Sequence, residues 1–385
     1  MAGDWLARAR ALGPEIEEAA HADETASALS PAIVRAMDEA GLFALMAPAS
    51  LGGAEAPAHE LIDVIAELSW WDGSAGWYAH AVMTGGAVAG AFLGDGAVAE
   101  IFAGGRYRHV AGQAAPTGRA VREGGDYRVS GRFAFASGSP QAQWIVGGFV
   151  LHDEHGNPAR GEGGAPGMLI AMVPRRSVRF LGNWNVMGLR ATGSYDFEVP
   201  EQVIPADFVH DPAYPRVPRG GALYRMGMMA LPCISHGAFA IGTTRRALHE
   251  WTRFARVRRG ADGRTLADRE TFHRDIALAE AEARAAEAWL RTTFDRIFAA
   301  AGEGAVPEDL RLDGRLATSH AFVVAMRVAQ RAYAACTTTP LRNGHPLQRV
   351  FRDICAGNAH FLTAEQSIID AGRVIAGVEG AAPVF

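Results

Sequence analysis

Lysine is missing from this chain of 385 residues, and all 37 of its basic residues are arginine. The absence excludes chemistry that needs a lysine amine: a Schiff base with a carbonyl substrate, attachment of pyridoxal phosphate, or a Walker-type phosphate loop. A bound phosphate or carboxylate must be held by guanidinium groups or by backbone. Cysteine is scarce: Cys233, Cys336 and Cys355 stand far apart without a C-x-x-C pair, so neither a disulfide framework nor a zinc site is expected. Long apolar runs are lacking too. No stretch of about 18 uncharged apolar residues occurs, and the start, with Asp4, Arg8, Glu15, Glu17 and Glu18, has no signal-peptide pattern. A formal net charge of -5 offers no attraction for nucleic acid or an anionic membrane. A cytoplasmic enzyme is the expectation.

What is present suffices for two or three subdomains, with 49% hydrophobic and 21% charged residues. Between Trp5 and Ala40, residues such as Leu6, Leu12, Ile16, Ile33, Val34 and Met37 recur at helical spacing. They predict two helices joined near Asp23, with Ser30-Pro31 as a start and Gly41 as a stop. Helices are also expected over 59–69 and 74–92. After Arg106 the period changes to two, which predicts strands over 108–112, 127–135, 144–151, 168–174, 178–181 and 194–200. Residues 156–167 hold five Gly and two Pro and read as an exposed hairpin loop. Strands in tandem imply an antiparallel sheet or small barrel. Helical patterns return over 226–259, 271–302, 311–338 and 347–375, enough for a four-helix bundle. The expected organisation is a helical domain over 1–105, a β domain over 106–214 and a bundle over 215–385.

The stretch from Gly112 to Trp144 carries the first functional signal. Alternation through Tyr127, Val129, Gly131, Phe133 and Phe135 makes a half-buried strand, which breaks at Ser137-Gly138-Ser139-Pro140. Such a break places two hydroxyls and free backbone N–H groups beside aromatic residues, where a flat polar ring could be bound along its edge. A plain hairpin turn uses the same residue types.

The order of helices, β domain and four-helix bundle resembles the acyl-CoA dehydrogenase fold. The segment from Gly182 to Val209, GNWNVMGLRATGSYDFEVPEQVIPADFV, is similar to the strand pair that closes that family's β domain. Residues 346–354, PLQRVFRDI, resemble the opening of its last bundle helix. Two departures set the branch. The last helix, RDICAGNAHFLTAEQS, does not hold Glu365 in the Tyr-Glu-Gly-Thr context of a dehydrogenase base, and TTTPLRNGHPLQ replaces the Gly-Gly turn that contacts the adenosine diphosphate half of FAD. AGQAAPTGRAVREGGDYRVSGRFAFASG, NWNVMGLRATGS, and Arg352-Asp353 followed by His360 resemble the oxygenase component of two-component flavin monooxygenases. Hydroxyphenylacetate and hydroxysteroid-phenol hydroxylases are of this branch.

That resemblance implies an enzyme that takes reduced FMN, or FADH2, from a separate reductase. With O2 it forms a flavin C4a-hydroperoxide and oxidises a small aromatic substrate. It implies that Ser137 or Ser139 faces flavin N5, and that Gln113, Gly138, Trp184, Arg190 and Thr192 line the cofactor. His360, on the last helix, is the expected substrate base, because an imidazole titrates near operating pH. Trp77 and His80, three apart on one helix face, and His236 are expected in the substrate pocket, with His80 the second candidate for the base. Small residues on several faces of helices such as 277–289 suggest a homotetramer. Two rival readings stay open: an FAD-dependent dehydrogenase with a bundle acid such as Glu365 as base, and a non-catalytic scaffold of the same fold.

Overall fold

The computed structural model describes residues 4–105, 109–160, 167–212 and 217–379. The boundaries expected at 105/106 and 214/215 adjoin or fall among residues outside this set. So do Arg108 and residues 161–166 of the Gly-rich loop.

Five helices come first: α1 (Trp5–Ala26), α2 (Pro31–Glu39), α3 (Ala58–Trp71), α4 (Gly73–Phe92) and α5 (Asp95–Ile101). The first break comes later than Asp23, at Ser27, which takes a left-handed conformation (φ 56°). Asp72 alone separates α3 from α4. It is extended, and its carboxylate accepts from the Ala75 N–H at 3.0 Å, so one residue ends one helix and caps the next. Small residues let α4 pack closely on the sheet: a Cβ at Gly85 would lie 2.7 Å from the Val110 carbonyl oxygen.

The middle of the chain forms one seven-stranded sheet from β1 (Val110–Glu123), β2 (Asp126–Ala136), β3 (Trp144–His152), β4 (Met168–Pro174), β5 (Arg179–Phe180), β6 (Tyr195–Ile204) and β7 (Val209–His210). Their order is β5-β6-β2-β1-β3-β4-β7. The sheet differs from a purely antiparallel one in a single pairing, β1 with β3, which is parallel. The cause is the connection after β2. It crosses the start of β1, where the N–H groups of Gln143 and Trp144 both donate to the His109 carbonyl, so β3 sets off in the direction of β1. That crossing brings Ser137–Pro140 against α4. β1 also runs well past Gly112, because register shifts on either side of Pro116 let a residue without an N–H sit in the strand. Phe133, Phe149 and Phe197 fill the sheet's own core.

Six helices follow: α6 (Ala222–Arg225), α7 (Ala230–Val257), α8 (Glu270–Glu303), α9 (Glu308–Ala335), α10 (Pro346–Asn358) and α11 (Glu365–Ile375). α7, α8, α9 and α10 pack as a bundle, and α7 lies along α3. The single last helix expected over 347–375 is two helices. Between them the Thr363 hydroxyl donates to the carbonyls of Gly357 (3.1 Å) and His360 (3.0 Å), while the N–H groups of Thr363 and Ala364 both turn to His360 O. These local bonds compete with the helical ladder and break it. His360 therefore sits in the turn between α10 and α11.

Candidate functional site

The break after β2 is more closed than its sequence suggests. Its N–H groups are all used: Ser137 to Phe135 O, Gly138 to Thr192 O and Ser139 to Ala136 O. The Ser139 hydroxyl, fully buried, donates to Gly193 O at 2.7 Å. Thr192, expected to line the cofactor, is also buried, and its hydroxyl donates to Leu189 O at 2.7 Å. Ser194 stands between Thr192 (2.6 Å) and Ser137 (2.7 Å), which makes a chain of three hydroxyls ending on a backbone carbonyl. Of the two serines expected to face a ligand, only Ser137 stands at an open end of such a chain. Ser194 was not among the expected site residues. The signal was present, two hydroxyls bracketing Gly193 in ATGS, but that spacing does not reveal a partner 57 residues away.

Beside Ser137 the chain holds an aromatic residue in an unusual place. Phe135 is left-handed (φ 65°) and 59% exposed, and its ring meets Trp184 edge-on at 6.1 Å. A left-handed, exposed phenylalanine costs about 1–3 kcal/mol, which other contacts must offset. Trp184 is oriented by its own N–H, which donates to Arg190 O at 2.9 Å. Arg190 has a buried Nε without a hydrogen-bond partner. Gln113 is half-buried on β1, next to Gly112, whose φ of 134° and close approach to the Val146 carbonyl exclude a side chain. An exposed ring beside a half-buried one, one hydroxyl with free lone pairs and one unpartnered buried guanidinium nitrogen together fit a flat group with a polar edge, such as a flavin. Reduced flavin, when bound, supplies the activation of O2.

α4 forms the wall behind this seat. On one face Val82 and Tyr78 lie under Gly138, at 3.2 and 3.5 Å from a Cβ built there. Tyr78 also reaches two residues not expected near the site, His109 at 3.5 Å and Gln141 at 3.4 Å. On another face Trp77 and His80 meet the bundle. The Trp77 ring lies 4.8 Å from His80, 4.7 Å from His236, 5.1 Å from Phe239 and 6.1 Å from His360, and His236 lies 4.3 Å from His360. Helical spacing places Trp77 and His80 together on α4, but only the packing of α7 and the α10–α11 turn adds the other two imidazoles.

Burial keeps these histidines neutral. It takes His80 well below the usual imidazole value, with the neighbouring His236 and His360 adding to the effect. His236 falls to about 4 through burial, partly offset by its bond to Pro232 O, and burial likewise lowers His360 well below normal. The hydrogen bonds then fix two tautomers. His236 donates from Nδ1 to Pro232 O at 2.6 Å, so its buried, unpartnered Nε2 is a bare acceptor. His360 accepts the Leu362 N–H on Nδ1 at 3.3 Å, so its proton lies on Nε2. Neither nitrogen of His80 has a partner. Glu365 lies exposed at the start of α11. Among the described residues, no group of His, Cys, Asp and Glu is arranged to hold a metal ion, and no helix is long and apolar enough to cross a membrane.

α10 holds the seat in place from below. Asp353 accepts the Leu189 N–H at 2.6 Å, and Arg352 donates to Met187 O at 2.6 Å while pairing with buried Glu24 at 2.5 Å. Arg349 lies 2.9 Å from Asp72. Burial raises the pKa of Asp353, with the Asp72 charge adding to it and the Leu189 N–H opposing it.

Residues 8–95 match the family model described as "Acyl-CoA dehydrogenase, N-terminal domain", and residues 234–365 match "Acyl-CoA dehydrogenase, C-terminal domain". Among known relatives, a pigment production hydroxylase of a Rhodococcus species is 26% identical, over 96% of this chain and 95% of its own. A flavin-dependent monooxygenase, oxygenase subunit HsaA, of Rhodococcus jostii is 27% identical, over 92% of this chain and 93% of its own. The crystal structure of 3-HSA hydroxylase from Rhodococcus sp. RHA1 superposes with a TM-score of 0.89 at 25% identity, covering 98% of this chain and 97% of that one.

Proposed function

Because the chain belongs to the acyl-CoA dehydrogenase family, through its N-terminal and C-terminal domains, we propose that it is the oxygenase component of a two-component flavin-dependent monooxygenase. It takes reduced flavin, FMN in preference to FADH2, from a separate reductase and uses O2 to oxidise a small aromatic substrate. The observation that carries the reading is the wall formed by α4. The hydroxyl chain that ends at Ser137 packs on one face of α4, and on another face Trp77 and His80 join His236 and His360 in a cluster of aromatic rings and neutral imidazoles, while Glu365 is exposed. An exposed Glu365 is poorly suited to act as a dehydrogenase base, and an inert scaffold has no need of buried imidazole nitrogens without partners, each of which costs about 1–3 kcal/mol.

Ser137 contacts the flavin edge at N5, Phe135 and Trp184 cover the ring, and Arg190 and Gln113 complete the seat. Thr192 acts from behind it. His236, rather than His360, is the base: its bare Nε2 accepts the phenolic or N–H proton of the substrate, and His360 offers an Nε2–H donor beside it. Trp77 and His80 form the remaining walls. We place the enzyme in the cytoplasm and assemble it as a homotetramer.

The test supplies the purified protein with reduced FMN from an added reductase, under oxygen-18 gas, with phenols and indoles as substrates. One labelled oxygen atom in the product is expected. Dehydrogenation of an acyl-CoA with an artificial electron acceptor, and no labelled product, would overturn the reading.

A further inference from the structure

Proton counting along the three hydroxyls fixes the direction of the chain. A carbonyl cannot donate, so the 2.7 Å contact between Thr192 and Leu189 O uses the only proton of Thr192. The Thr192 oxygen must then accept from Ser194 across 2.6 Å, which uses the proton of Ser194. Ser194 in turn accepts from Ser137 across 2.7 Å. Nothing is left for Ser137 to donate, and it faces the seat with lone pairs only. The far end is held firmly, because the Leu189 N–H is bound by Asp353 at 2.6 Å.

We propose that this polarised chain is a redox-state filter, in which Ser194 and Thr192 are positioning residues that make Ser137 an obligate hydrogen-bond acceptor. The inference rests on the reading of Ser137 as the flavin contact. Reduced flavin carries a hydrogen on N5 and satisfies Ser137. Oxidised flavin has a bare lone pair there, and two acceptors face each other. The chain is also a dead end for protons, since a carbonyl cannot take one up and pass it on. The N5 proton therefore cannot leave by this route.

The experiment measures dissociation constants for oxidised FMN in air and for reduced FMN without oxygen, on the intact protein and on Ser194→Ala, Thr192→Val and Thr192→Ser. The unaltered protein binds the reduced form more tightly. Ser194→Ala frees the Ser137 proton to meet the bare N5, so the preference shrinks by roughly ten-fold, mainly through tighter binding of oxidised FMN. Thr192→Val shrinks it as well, and Thr192→Ser, which keeps the hydroxyl, retains it. An unchanged preference in both Ser194→Ala and Thr192→Val would overturn the proposal. Absence of flavin binding by the unaltered protein would instead overturn the seat itself. Nitrogen-15 resonance of N5 in reduced FMN bound to the unaltered protein gives a reading that no variant's folding can obscure: a donating N5–H is expected, and a free one refutes the filter.

Discussion

His236 and His360 differ in one respect, which nitrogen already has a partner, and this decides what each can do. His236→Phe keeps a ring against Trp77 and removes the acceptor. Oxygen transfer to substrate should slow by about 10²–10⁴-fold while reduced FMN still binds. Product formation at the parental rate would return the role of base to another imidazole. The pH dependence has a definite sign. A base held to about 4 stays competent well below the usual imidazole value, so the turnover profile should lack an acid limb near 6.5. Stability behaves differently. His80, His236 and His360, together with His210, which burial lowers to about 4, have folded values below their unfolded ones. For His210 and His236 that contribution is fully present above about pH 6.5 and is lost as pH falls toward about 4, at about 1.4 kcal/mol per pH unit for each group, and His80 and His360 act in the same direction. Urea unfolding between these limits should steepen accordingly, and His210→Phe, remote from the proposed pocket, should make the slope shallower. An equal slope in that variant would show that His210 does not titrate on unfolding.

The loop between β5 and β6 and the helix α10 fit with no spare room. A Cβ at Gly188 would lie 2.0 Å from the Arg352 carbonyl oxygen, which belongs to a helix and cannot swing aside. Gly188→Ala should therefore cost about 3 kcal/mol, at the upper end of overpacking effects, and should weaken flavin binding because Leu189, Thr192 and Ser194 move with the loop. A variant within about 0.5 kcal/mol of the parent, by denaturant unfolding, would show that loop and helix are less tightly joined. Most elements at this scale were legible, since alternation and helical spacing record a buried face. Some were not. The part of β1 beyond Gly112 was hidden by Pro116 and Gly118, whose bulges look like a loop in sequence, β7 is only two residues long, and the break before α11 was hidden because Thr363 acts through backbone bonds rather than through a Gly or Pro signal.

Apolar surface remains uncovered on the whole chain. Val257 is 73% exposed, Leu278 53%, Ile369 48% and Ile375 68%, on α7, α8 and α11. Exposed residues of this kind mark interaction surfaces when they gather on neighbouring elements. Light scattering at micromolar concentration should give the mass of four chains of 40.9 kDa, and a monomeric mass would refute the assembly. The sequence by itself determined the succession of helices, sheet and bundle, because each element's periodicity reflects which side meets the core. It also excluded lysine chemistry, and GRFAFASG and GLRATGS are the segments on which the proposed flavin seat rests. The tertiary structure alone decided which hydroxyl is open, since Ser137, Ser139, Thr192 and Ser194 are chemically alike and differ only in what lies within 3 Å of each. It alone gathered His80, His236 and His360 around Trp77. Proton positions on those groups follow from partners distant in sequence, and no local pattern encodes them.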